Sequence, residues 1–158
     1  MKNLGLSCLL LVSIGFQSCK NEKANDTKEA TKAEKPISVN CYQALYDKDT
    51  IDLKINTLKD GKISGSMVMK MYAMSEKTGD IEGEFRGDTL FADYSFIQGK
   101  NENATFKNPL AILKRGDTLI LGNGKIETYL GRSYFAKGAP IDFDRVKYKF
   151  LTVDCVDK

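Results

Sequence analysis

Four cysteines, five methionines and the carboxylates are the residues with most chemistry to offer, and the chain has no histidine. Without an imidazole, Ser-His and Cys-His nucleophilic catalysis and histidine-based zinc sites are ruled out. Paired carboxylates remain as acid-base candidates on a sugar, because Glu82 with Glu84, and Asp142 with Asp144, share a face when the chain is extended. Alternate acids of this kind are the usual solvated side of a strand. No catalytic residue and no cofactor is therefore assigned, and the chain reads as a non-enzyme.

Met67, Met69 and Met71 form the most distinctive cluster, with Met74 just beyond. At alternate strand positions their thioethers point the same way, roughly 7 Å apart. Two readings stay open. Methionine fills irregular apolar interiors, so the row can line a pocket together with Tyr94 and Phe96. Soft sulfur also selects Cu(I), which would make Met67, Met69, Met71 and Met74 ligands of a copper-binding protein. Two Arg-Gly-Asp tripeptides, at 86–88 and 115–117, stand where a hairpin needs Gly and Asp, and turn chemistry accounts for them without adhesion. Gly122-Asn123-Gly124-Lys125 lacks the spacing and the hydroxyl of a phosphate loop.

The cysteines sort by position. Lys2 precedes an apolar run from Leu4 to Phe16, too short for a permanent span of ~20 residues but right for a secretory signal. The run ends in Phe16-Gln17-Ser18-Cys19, which resembles a lipoprotein signal box of the looser kind found in Bacteroidota. That resemblance implies removal of residues 1–18, with Cys8 among them, and acylation of Cys19 by palmitate-type chains. Two or more chains anchor a protein stably to a membrane. Residues 20–36 hold five Lys against four Asp or Glu and nothing larger than Ala to build a core, so residues 19–37 are expected to be a flexible tether. Cys41 and Cys155 are left in an oxidising compartment, where two thiols are most simply a disulfide; no ligand pattern surrounds either to favour a metal. The formal net charge of +3 becomes +2 without Lys2, with both signs interspersed, which argues against a nucleic-acid partner.

Those residues need an element to position them, and the pattern names it. From residue 39 onward apolar side chains recur with period two: Ile51, Leu53, Ile55; then Ile63, Gly65, Met67, Met69, Met71; then Leu90, Ala92, Tyr94, Phe96; and finally Val146, Tyr148, Phe150. Turn signals fall at 47–49, 59–61, 78–80, 86–88, 99–101, 115–117 and 122–124. The expected fold is all-β, one antiparallel meander of eight to ten strands over residues 38–158. A disulfide between its first and last strands implies that the two lie side by side, which closes a barrel. Residues 130–144 are the least patterned, either a long loop or the seat of a short helix, and are the best lid or binding loop.

Between Cys41-Tyr42 and Val153-Asp154-Cys155, with Gly83 to Tyr94 in between, the chain resembles small Bacteroidota-type lipoproteins of unknown function, and at fold level the lipocalin-like barrels. The resemblance implies architecture and no active site. Together these readings lead to an exported protein, lipid-anchored to the outer membrane through Cys19. As partners they suggest a small apolar ligand or peptide held by the barrel, or alternatively an envelope protein met or inhibited by its surface. Replacing Cys19 by Ala is expected to abolish incorporation of labelled palmitate and release the chain from the membrane fraction. Label persisting on that variant would refute acylation at this position.

Overall fold

The computed structural model describes residues 34–156; the signal region, Cys8, Cys19 and most of the tether lie outside the described residues. The strands are β1 (Ser38–Tyr46), β2 (Asp49–Thr57), β3 (Lys62–Lys70), β4 (Lys77–Arg86), β5 (Thr89–Gln98), β6 (Thr105–Arg115), β7 (Thr118–Leu121), β8 (Asn123–Gly124), β9 (Ile126–Tyr129), β10 (Arg132–Phe135), β11 (Ile141–Asp142) and β12 (Lys149–Val153). Eight of them close an antiparallel barrel, in which each of β1 to β6 pairs with the next and β12 joins β7 to β1. The remaining four form two short sheets, β9 with β10 and β8 with β11, inside the excursion between β7 and β12.

Alternation decides which side chains fill the cylinder. Register aligns Tyr42, Leu53, Met67, Gly79, Phe96 and Phe106 across six consecutive strands. The next rung inward of it runs through Ile55, Gly65, Ile81, Tyr94 and Asn108. An eight-stranded barrel encloses room for its own side chains and at most one small ligand. Accordingly Ile51, Met67, Ile81, Leu90, Ile112 and Phe150 are fully buried in one cluster. Each contributes ~1.5–3 kcal/mol by burial.

The wall bends at three inward glycines. A Cβ on Gly79 would lie 2.0 Å from the Ser95 carbonyl oxygen, on Gly83 2.2 Å from that of Phe91, and on Gly65 1.9 Å from that of Lys54. Neighbouring backbone occupies the space a side chain would take, so the strands coil tightly enough to close. The turn expected at 78–80 is corrected by this: Thr78, Gly79 and Asp80 lie within β4, and the glycine serves close approach rather than reversal. The signal at 122–124 is corrected too, since Asn123 and Gly124 are extended and pair with Asp142 and Ile141. Conversely, the chain reverses between β3 and β4 through residues 71–76 without glycine, using Ala73 at φ 55°. The two Arg-Gly-Asp sequences are hairpin corners, with Gly87 at φ 61° and Gly116 at φ 60°.

Closure is doubled outside the barrel. β12 pairs with β1 from Cys41 with Val153 to Ala44 with Phe150, and Cys41 is bonded to Cys155, their Cα atoms 5.2 Å apart. The bridge spans 114 positions. The segment 130–144 holds no helix; it contributes β10 and β11, and β10 packs against the wall at β6. Ala111 and Ile120, at outward positions of that wall, are buried outside the main core, as is Ala136.

The Gly79→Ala variant is expected to lose more than ~3 kcal/mol of unfolding free energy, because backbone must move to admit one methyl group. Gly87→Ala, which meets nothing within 4 Å and pays only for its positive φ, is expected to lose ~1 kcal/mol. Urea unfolding of the two variants checks the ranking, and equal losses would refute the close-approach account.

Candidate functional site

The wall is incomplete beside β6. β6 runs from Thr105, yet β7 pairs only with Ile112 to Arg115. The Gly122 N–H then donates to the Ala111 carbonyl at 2.8 Å, after which the chain turns away. Among the described residues no barrel strand pairs with the edge of β6 from Thr105 to Leu110. Pro109, which lacks an N–H, and Lys107 stand on that stretch and discourage pairing by another chain.

A cavity of about 180 Å³ lies at this gap. From within the barrel come Met69, Lys77, Tyr94 and Phe96; Asn108, Pro109 and Leu110 of β6 form one side, and Leu121 of β7 with Gly124 and Phe135 of the excursion another. The glycine at 124 is forced, since a Cβ there would come within 2.7 Å of the Phe135 ring. Aromatic rings lead from the core to the surface. Tyr94 and Phe96 stack with centroids 4.7 Å apart, and Phe96 stacks on Phe106 at 5.5 Å. Phe106 itself is 47% exposed. The Tyr94 hydroxyl donates to the Met67 carbonyl at 3.0 Å, which satisfies the one polar atom of this ladder inside the barrel. Burial pushes the Tyr94 phenol well above its ordinary range, with the negative charge of Glu76 adding to the shift.

The structure brings together three of the five residues expected to line a pocket, Met69, Tyr94 and Phe96. Met67 is fully buried in the core, and Met71 sits at its margin, where its sulfur accepts the Tyr148 hydroxyl at 3.4 Å. Met74 is 58% exposed, so the four thioethers do not share one environment. Among the described residues no group of three or more His, Cys, Asp or Glu side chains converges to hold a metal ion. The paired acids also separate. Asp142 accepts the backbone N–H groups of Asp144 and Arg145, which hold its carboxyl below the usual range, while Asp144 pairs with Arg115 and Glu84 with Arg86. Sequence reasoning missed Lys77, Asn108, Leu121 and Phe135. Only Lys77 left a signal, as a charged residue in phase with Gly79 and Ile81.

At the start of β2, Asp49 ties three segments together. Its carboxylate accepts the Tyr72 N–H and the Tyr148 hydroxyl, each at 2.7 Å, and these bonds lower its pKa. Tyr148 is pushed up to about 12, by burial first and then by its bond to Asp49. No protein-family model, curated protein or solved structure matches the chain.

A phenol with a raised pKa stabilises the fold fully below its unfolded value near ~10, and that contribution disappears as pH rises toward the folded value. Asp49 behaves oppositely, contributing above ~3.9 and failing as pH falls through its lowered value. Stability is therefore expected to decline between pH 10 and 12, and Tyr148→Phe to flatten that decline. Urea midpoints across this range check it; an unchanged slope in the variant would show that the Tyr148 bond is not responsible.

Proposed function

We propose that this protein is a non-catalytic binding module of the bacterial envelope, exported and held to the outer membrane by lipid on Cys19, that takes a small apolar ligand at the gap above β7. The observation that carries the reading is the aromatic ladder: Tyr94 and Phe96 belong to the buried core and at the same time line the cavity, so the core's own rings form its inner wall. An apolar cavity with a few polar groups at its margin, reached through a break in the wall, suits a small molecule. The two larger grooves, about 630 and 570 Å³, lie on the outer face and are lined by charged side chains such as Glu84, Arg86 and Asp93 in the first and Asp52, Lys54 and Asp154 in the second. Water already solvates such surfaces, so they offer less to an apolar guest.

A second reading has its own support. At the corner of β9 and β10, Tyr129 is 65% and Leu130 85% exposed, an apolar tip suited to an envelope protein. The copper reading is the weakest, because Met67 is sealed in the core while Met74 faces solvent.

Titrating the full-length protein in detergent with p-cresol, a neutral one-ring probe, is expected to shift amide NMR signals of Met69, Phe96, Leu121 and Phe135. Leu121→Trp, which fills the cavity, should lose that response while keeping its unfolding midpoint within a few degrees. Shifts confined to Tyr129 and Leu130 would favour the surface reading, and a response undiminished in Leu121→Trp would sink the cavity reading.

A further inference from the structure

We propose that the ligand of this cavity is a one-ring aromatic carboxylate, its acid group held by Lys77. The inference rests on the cavity being a binding site and adds the ligand's charge and size. Lys77 opens β4 at an inward register position, opposite Met69 on β3 and Gln98 on β5. It is half-buried, and its ammonium lies 5.3 Å from the centre of the Phe96 ring. Among the described residues it is the one charged residue lining the cavity, whose other polar lining residues include Asn108 and Asn123.

A half-buried lysine gains from an opposing charge at hydrogen-bond distance. Among the described residues no carboxylate is within ion-pair distance of Lys77, whose contact is the Phe96 ring. The nearest acid along the chain, Glu76, is turned to other partners: it accepts the Thr78 hydroxyl at 3.1 Å and lies 3.9 Å from the Lys70 ammonium. Asp49, another acid at this end of the barrel, is held by Tyr72 and Tyr148. A cation facing an apolar space with aromatic walls is complementary to an anion carried on an apolar body.

Volume limits that body. An apolar cavity of ~150 Å³ accommodates benzene, so about 180 Å³ admits one six-membered ring and a carboxylate. The ring would stack on Phe96, extending the sequence Tyr94, Phe96, Phe106, while the carboxylate would accept from Lys77 and from the Asn108 amide.

Calorimetric titration of the full-length protein in detergent with benzoate, benzyl alcohol and benzylamine separates the possibilities. Benzoate is expected to bind ~10-fold or more tightly than its neutral counterpart, the usual gain from a charge-assisted hydrogen bond, and benzylamine more weakly than either. Lys77→Met should erase the preference for benzoate while leaving benzyl alcohol affinity within about threefold, and Lys77→Arg should retain it. Equal affinity for benzoate and benzyl alcohol, or a preference that survives Lys77→Met, overturns this assignment and leaves the cavity reading standing. Failure of all three probes overturns both.

Discussion

Everything in this fold depends on backbone meeting backbone across Gly65, Gly79 and Gly83. At these three inward positions of β3 and β4 the adjacent strand's carbonyl oxygen or Cα stands where a side chain would project. The sheet can coil there, and eight strands then bring β12 against β1. Without that curvature the same alternating sequence would lay out an open sheet with two exposed edges, each an invitation to aggregate. The hydrophobic gain from Ile51, Ile81, Leu90, Ile112 and Phe150 follows from closure, because only a closed wall removes their inner faces from water on every side.

Closure is completed unevenly. The seam between β1 and β12 is reinforced by Cys41 and Cys155 outside the barrel, which shortens the unfolded chain's reach over 114 positions. The opposite side of the same seam is short of backbone, since β7 is only four residues long against eleven in β6. The excursion from Gly122 to Tyr148 compensates by covering the outer wall, where Ala111, Ile120 and Ala136 are buried, and it leaves a gap at the inner rim. A cavity arises where a strand stops early. Its lining consequently mixes barrel residues that any alternation pattern would predict with excursion residues that none would.

The difference between reading and structure is instructive at particular residues. Alternation through Ile51 to Ile55, Ile63 to Met69 and Leu90 to Phe96 placed those side chains inside correctly, because period two is a property of the extended backbone itself. Glycine was ambiguous. At 87 and 116 it makes corners, while at 79 and 124 the same residue permits close contact within extended chain. Local sequence cannot separate these uses, since the deciding atom belongs to Ser95 or Phe135. The reversal at 71–76 went unseen for the complementary reason: Ala73 takes a positive φ that its type does not advertise.

By itself the sequence determined an all-β chain, its inward residues, most of its corners, the exclusion of imidazole chemistry and the pair of cysteines that close it. These are properties of residue type and spacing along an extended backbone, and they need no partner from elsewhere in the chain. Only the tertiary structure decided that β7 ends early, that Phe135 reaches the barrel's rim, and that Lys77 faces Phe96 with no carboxylate opposite. Such facts depend on which distant segments share a neighbourhood, and a one-dimensional pattern carries no record of that.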